Sequence, residues 1–152
     1  MLNAEKYRNE ILAISDKNRR FGIREDNPTA IIKCAELNQC SGCLFNNGMC
    51  DSNKTRWLLA EYKEPIKLTR LEYEILKWVY NERYKYIARD EDGELWIFQS
   101  EPKKITIEWD CYYAYTELQL FNKLFQFVKW EDKEPTSIKD VLDNCEVVEN
   151  DL

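Results

Sequence analysis

The chain has 152 residues, of which 44% are hydrophobic, and its 22 Lys and Arg against 28 Asp and Glu give a formal net charge of −6. This balance is typical of a globular protein, and the length predicts a single domain over residues 1–152. Histidine is absent, which excludes Ser-His-Asp triads, Cys-His dyads and His-ligated zinc.

The N-terminal third begins with a predicted helix and a predicted loop. Apolar residues recur at helical spacing in residues 3–18, and Asn3 is of the type that caps a helix. Residues 19–33 contain Gly22 and Pro28, which favour a loop, and the β-branched residues near Ala30-Ile31-Ile32 favour an extended stretch within it.

Four of the six cysteines fall within residues 34–50, which we call the cysteine module. Their pattern is Cys-x5-Cys-x2-Cys-x6-Cys, made by Cys34, Cys40, Cys43 and Cys50. In a reducing compartment such a cluster is better explained by a metal than by disulfides. Four thiolates without histidine favour a closed, structural Zn²⁺ site, so the module is a candidate zinc knuckle.

The turns inside the cysteine module suit this interpretation. Gly42 lets the backbone turn tightly between Cys40 and Cys43, and Asn47-Gly48 predicts a second turn that returns the chain toward the ion. Three alternatives stay open: an unmetallated cluster, a Cys40–Cys43 redox pair, and an iron–sulfur cluster. The two remaining cysteines, Cys111 and Cys145, are predicted to be buried apolar fillers.

Two helices are predicted after the cysteine module. The first covers residues 52–62. The second covers residues 70–81 and begins with a capping box, in which Thr69 and Glu72 satisfy each other's backbone N–H groups. Its predicted buried stripe is Leu71, Ile75, Trp78 and Val79.

A three-stranded antiparallel meander is predicted next. Residues 84–89 and 95–99 read as strands joined by the turn at residues 90–93, and residues 104–109 alternate well enough for a third strand. The predicted fold class is therefore α+β, with helices around a small three-stranded sheet and a four-cysteine zinc-knuckle insertion.

The C-terminal part predicts two more helices and an acidic tail. Residues 116–129 are apolar on most sides of a helix, which places that helix in the core or at an interface. A short helix is expected to begin at Ser137, which forms a capping box with Asp140. Residues 146–152 are expected to be a frayed acidic tail.

The net acidity lies in residues 131–152, which we call the acidic segment. It holds eight Asp and Glu and two Lys, so residues 1–130 carry 20 acids and 20 bases. The segment is the type that steers a protein toward basic surfaces, although most such segments are ordinary solvated faces. No cluster of Lys and Arg suits the phosphates of a nucleic acid.

No targeting signal is visible in the sequence. The first residues carry mixed charge and lack the apolar core of a secretory signal, and no stretch reaches the roughly 18 apolar residues of a membrane span. We therefore expect a cytoplasmic location and no membrane partner.

The cysteine module and the stretch from Trp57 to Glu72, with its Tyr62-Lys63-Glu64-Pro65-Ile66 core, resemble a group of small uncharacterised cysteine-cluster proteins. Phages and prophages of Gram-positive bacteria encode these proteins. The resemblance continues through an aromatic strand at Tyr86–Asp90 and C-terminal stretches at Phe127–Asp132 and Asp140–Asp143. It implies a phage origin and a bacterial host cell, and phage accessory proteins include inhibitors of host defence such as anti-CRISPR proteins.

Two functional hypotheses follow, and neither needs an enzyme. The first is a non-catalytic inhibitor or modulator that binds a host protein or ribonucleoprotein complex. Because Tyr is enriched at binding hot spots, the candidate contact residues are those of the tyrosine run and the start of the acidic segment: Tyr112, Tyr113, Tyr115, Glu131, Asp132 and Glu134.

The second hypothesis is a zinc-containing regulator of the winged-helix type that binds DNA or RNA. The order of helix 52–62, helix 70–81 and hairpin 84–99 favours it. Residues 52–110 hold 12 acids and 11 bases, however, and an element that reads a groove should be more positive.

Overall fold

The computed structural model describes residues 1–15, 20–37, 40–46 and 48–149. These residues form an α+β fold of five α-helices and ten short strands. The helices are α1 (Asn3–Lys6), α2 (Arg8–Ser15), α3 (Cys50–Leu59), α4 (Arg70–Asn81) and α5 (Ile138–Asp143). The strands are β1 (Phe21–Arg24), β2 (Asn27–Lys33), β3 (Ile66–Thr69), β4 (Tyr86–Arg89), β5 (Leu95–Phe98), β6 (Lys103–Lys104), β7 (Trp109–Asp110), β8 (Tyr115–Glu117), β9 (Thr136–Ser137) and β10 (Cys145–Val148).

The chain divides into two compact units. Unit 1 consists of Met1–Lys67 together with Asp143–Glu146, and unit 2 consists of Leu68–Leu142 together with the segment from Val147. The expectation of a single domain over residues 1–152 stays a prediction.

The N-terminal helix of unit 1 is interrupted and is capped differently from the prediction. The break is at Tyr7, α2 is described from Arg8 to Ser15, and residues 16–18 of the predicted helix lie outside the described residues. Leu2, not Asn3, is the N-cap residue. Asn3 is buried, and its side-chain amide donates to the Trp57 carbonyl at 2.8 Å, so it ties the helix to α3 instead of capping it.

The predicted extended stretch at residues 30–32 is confirmed as part of β2, but the rest of the predicted loop is wrong, because β1 and β2 form an antiparallel hairpin from residue 21. Phe21 pairs with Lys33, and the register shifts between Ile23 and Arg24. Pro28 is tolerated because it lies near the turn end of β2. The hairpin is stabilised by burial, since Ile23 is fully buried and packs with Cys43 and Phe45.

The capping box of α4 in unit 2 is confirmed. The Thr69 hydroxyl accepts the Glu72 N–H at 3.1 Å, and the Glu72 carboxylate accepts the Thr69 N–H at 2.9 Å. The predicted burial is confirmed for Val79, but the buried face is rotated from the predicted stripe and consists of Glu72, Tyr73, Leu76 and Val79. Leu71 and Trp78 are instead 55% and 63% exposed.

The sheet of unit 2 has four antiparallel strands in the order β8-β5-β4-β9, so the predicted three-stranded meander is wrong in its third strand. The turn at residues 90–93 does join β4 to β5 as predicted, with Gly93 in the left-handed region at φ +93°. Within the predicted third strand, a turn separates β6 from β7, which pair only with each other. Trp109 is drawn inward there, because the buried Asp90 carboxylate accepts its backbone N–H at 2.8 Å.

The predicted helix at residues 116–129 is also wrong. Strand β8 occupies its start, and the residues after it form turns with bonds from residue i to i−3, such as Leu124 N–H to Phe121 and Val128 N–H to Phe125. Phe125 adopts φ +55°, which an α-helix does not contain. Residues 116–129 are rich in apolar side chains because this irregular segment buries Leu118, Phe125 and Val128.

The Arg89 side chain holds this irregular segment, residues 118–130. Its guanidinium donates five hydrogen bonds to backbone carbonyls, of Gly93, Asn122, Leu124, Phe125 and Val128, at 2.7–3.3 Å. Four of these carbonyls lie in the segment and would bond within a helix if one formed. A side chain far along the chain therefore replaces the helical hydrogen bonds.

The C-terminal helix begins where it was predicted. The Ser137 hydroxyl accepts the Asp140 N–H at 3.3 Å, and α5 follows directly. The expected frayed tail is wrong for residues 146–148, which belong to β10, the strand paired with β3. Residues 150–152 of the tail lie outside the described residues.

No helix in the described ranges combines the length and the apolar character that crossing a membrane requires.

We predict that Arg89→Met lowers the free energy of unfolding by about 3 kcal/mol, because five partly buried carbonyls lose the guanidinium that donates to them. Urea unfolding followed by tryptophan fluorescence measures this, since four of the five tryptophans lie in unit 2. Arg83→Met is the matched control, because Arg83 is exposed in the same unit. Equal losses in the two variants would contradict the role given to Arg89.

Candidate functional site

The four clustered cysteines are carried by four neighbouring pieces of unit 1. Cys34 follows β2 directly, and Cys40 opens a single 3₁₀ turn that ends at Gly42. Cys43 closes that turn by donating its N–H to the Cys40 carbonyl at 3.0 Å, and it forms a β-bridge with Arg24. Cys50 is the first residue of α3.

The sulfurs of Cys34 and Cys43 both lie beside Gly22 of β1. A Cβ atom added to Gly22 would lie 3.5 Å from the Cys34 sulfur and 3.6 Å from the Cys43 sulfur. The absence of a side chain at Gly22 therefore leaves room for the two sulfurs on the same side of β1. Gly22 is a site residue that the sequence analysis missed, because it was interpreted only as a loop signal.

The other three cysteines are close enough to Cys34 to influence its thiol electrostatically. The pKa of the Cys34 thiol is raised mainly by burial, and negative charge on Cys43, Cys50 and Cys40 raises it further, while the Lys54 ammonium opposes the shift. The Cys34 thiol donates a hydrogen bond to the Phe21 carbonyl at 3.1 Å. Metal binding would replace that proton, because the thiolate is the form that ligates a metal.

The four cysteine side chains are ligands of the type that Zn²⁺ prefers. Two sulfurs converge on Gly22, a third lies at a helix N-terminus, and the fourth is held by a short turn. As the side chains stand, no group of three or more Cys, Asp or Glu in the described part of the chain is close enough to hold a metal ion. Asn47 of the predicted second turn lies outside the described residues, and Gly48 has φ +81°.

The two other cysteines differ from each other. Cys145 is fully buried, and burial raises the pKa of its thiol to about 12, so the prediction of a buried filler is confirmed for this residue. Cys111 is only half-buried, and its sulfur lies 2.9 Å from the Ser100 hydroxyl.

The tyrosine run of unit 2 lies on the surface, at the start of edge strand β8. Tyr112 is 103% exposed, Tyr113 is 71% exposed and Tyr115 is 52% exposed. Tyr115 still has a fixed position, because its ring packs against Trp96 and Phe98 with centroids 5.6 and 6.1 Å away.

A cavity of about 320 Å³ opens beside the tyrosine run. Tyr112 and Tyr113 line it together with Lys103 and Ile105 of the β6–β7 hairpin and with Cys111. The side chain of Ile105 is 47% exposed there.

The start of the acidic segment is attached to the same β6–β7 hairpin. The Lys104 ammonium donates to the backbone carbonyls of Trp130 and Asp132 and lies over the Trp130 ring. The Asp132 carboxylate accepts the Lys129 N–H at 2.9 Å and so closes a local turn. Glu131 and Glu134 are exposed to solvent.

We predict that Gly22→Ala lowers the free energy of unfolding by about 1 kcal/mol, because the new methyl group would lie 2.9 Å from Leu37 and would touch two cysteine sulfurs. Gly42→Ala is the matched control within the same unit, since its Cβ would meet nothing within 4 Å. Urea unfolding followed by circular dichroism compares the two variants. A control variant that loses as much stability as Gly22→Ala would remove the packing argument.

The chain was also compared with known proteins. No family model matches it, and no curated protein or solved structure matches it significantly.

Proposed function

We propose that this chain is a non-catalytic protein of phage or prophage origin that inhibits or modulates a host protein or ribonucleoprotein complex, in the manner of an anti-CRISPR protein. It acts in the cytoplasm of the bacterial host cell and needs no catalytic group. The observation that carries the proposal is the exposed tyrosine run on edge strand β8.

The exposure of these rings supports a binding surface. The phenol rings of Tyr112 and Tyr113 are largely in water, and the exposed Ile105 side chain lines the same cavity. Contiguous exposed apolar patches on a folded protein mark interaction sites, and Tyr is enriched where binding energy concentrates. The packed ring of Tyr115 adds a rigid platform, which costs little entropy on binding.

The backbone of β8 supports the same surface. Gln99 N–H donates to the Ala114 carbonyl and Leu118 N–H to the Leu95 carbonyl, so the even-numbered residues of this stretch bond to β5. Tyr115 and Glu117 therefore turn their backbone N–H and C=O groups away from β5. An extended partner segment can add to such an edge as a further strand.

The charges around the tyrosine run favour a basic partner. Glu101, Asp110 and Glu117 are exposed there, against one exposed base, Lys103. Complementary charge of this kind steers association and selects partners. A host protein that binds nucleic acid has such a basic surface.

The second part of the proposal is a structural Zn²⁺ held by Cys34, Cys40, Cys43 and Cys50. The ion would supply a cross-link between the β1–β2 hairpin, the 3₁₀ turn and α3. The convergence of two sulfurs on Gly22 and the electrostatic coupling of Cys34 to the other three support it. Such a link suits a small unit, because metal binding adds folding free energy that a small core lacks.

We predict that the purified chain binds one equivalent of zinc, and that Cys43→Ser lowers its zinc content and destabilises unit 1. Cys111→Ser is the matched control and keeps the metal, because Cys111 lies in unit 2 beside Ser100. Metal analysis by mass spectrometry measures the content. Equal zinc loss in both variants would exclude the proposed ligand set.

A second candidate function is the zinc-containing winged-helix regulator of DNA or RNA. The observation that favours it is the order of α4 and the β4–β5 hairpin within one unit. The face of α4 that is exposed carries Leu71 and Trp78 rather than a row of bases. A gel shift at low ionic strength with a steep salt dependence would place this function first.

We predict that the wild-type chain captures a specific host protein and that the double variant Tyr112→Ala/Tyr113→Ala loses at least about 2 kcal/mol of its binding free energy, the range of hot-spot residues. Stability should change little, because both rings are exposed. Binding to the purified target is measured by calorimetry after identification by affinity capture and mass spectrometry. Capture with and without ribonuclease separates a protein target from a ribonucleoprotein.

Tyr80→Ala is the control for this experiment, because Tyr80 is an exposed tyrosine on α4 of the same unit. Undiminished binding by the double variant would rule out the tyrosine run as the contact surface. Charge reversal of Glu131 and Glu134 tests the acidic segment separately, and unchanged affinity would remove that segment from the interface.

A further inference from the structure

Lys54 is a buried cation that the sequence analysis did not single out. Its side chain belongs to α3, and the residue is only 8% exposed. A buried ammonium group is costly unless an anion or several hydrogen bonds compensate it. The groups around Lys54 therefore indicate which negative charge compensates its ammonium group.

The partner that the structure provides is the cysteine module. The Lys54 ammonium lies 4.0 Å from the Cys34 sulfur and 5.1 Å from the centroid of the Phe21 ring. Within the described part of the chain no carboxylate pairs with it. A neutral thiol cannot compensate a buried ammonium, whereas a thiolate can.

The position of Lys54 on α3 points to the same site. Lys54 follows Cys50 by four residues, so the two side chains share one face of the helix. The ammonium therefore reaches the Cys34 sulfur from the helix face that also carries Cys50.

We infer that Lys54 is the charge partner of a four-thiolate metal site, a positioning residue that neutralises part of the site's negative charge and holds Cys34 toward Cys50. This inference rests on the proposed zinc site. Four thiolates around Zn²⁺ carry a net charge of minus two, which a low-dielectric surrounding disfavours. A buried cation against one sulfur offsets that charge, as outer partners do at other metal sites.

The experiment uses the full chain loaded with zinc and measures the rate at which the metal passes to a colorimetric chelator. We expect Lys54→Met to release zinc at least about 10-fold faster than wild type, the effect of losing an outer partner. Lys54→Arg should retain the wild-type rate, because it keeps the charge. Lys63→Met is the control, since Lys63 is an exposed lysine of the same unit.

The outcomes separate this inference from the proposal on which it rests. A wild-type chain that binds no zinc overturns both. Zinc bound by wild type and released at the same rate by Lys54→Met overturns only the role of Lys54.

Folding is checked by circular dichroism, and Lys54→Gln is the second variant if Lys54→Met does not fold. Loss of the cobalt–thiolate absorption in Co²⁺-loaded Lys54→Gln, with retention in Lys54→Arg, supports the inference. If both uncharged variants are unfolded at saturating metal, Lys54 serves packing alone and the inference is overturned.

Discussion

Unit 2 depends on the guanidinium of Arg89, which donates to five backbone carbonyls, four of them in the irregular segment. Arg suits this task, because its planar fork of donors keeps its charge even though burial lowers its pKa. Glu72 completes the arrangement from α4, since its carboxylate accepts the Phe125 N–H at 2.6 Å while also capping the helix. Together the two side chains allow an irregular, largely apolar segment to pack without leaving its polar backbone groups unpaired.

The two functional proposals divide between the units. In unit 1 the cysteine module is assembled from a hairpin, a 3₁₀ turn and a helix start, none of which is long enough to be stable alone. A metal cross-link among these three elements would therefore supply a larger share of the folding free energy than it would in a large core. In unit 2 the exposed tyrosines are attached to a sheet and to a short hairpin, so a binding surface stands on rigid elements.

Local signals predicted the parts of the fold that depend on neighbouring residues. The capping box at Thr69, the turn at Gly93 and the helix after Ser137 are all of this kind. Residues 116–129 could not be predicted in the same way, because their conformation depends on Arg89, some thirty residues earlier in the chain. The spacing of the cysteines named candidate ligands, but the burial of Lys54 emerges only when α3 packs near β1.

The hydrogen bonds of Arg89 are accepted by main-chain oxygens, so they do not depend on which side chains the segment carries. Side chains at Lys123, Gln126 and Lys129 point into solvent and take no part in those bonds. Substitutions there can accumulate without altering the backbone path, so sequence identity in this stretch will decay early. Distant relatives of this chain should accordingly be sought by the presence of both Glu72 and Arg89 rather than by sequence identity in residues 118–130.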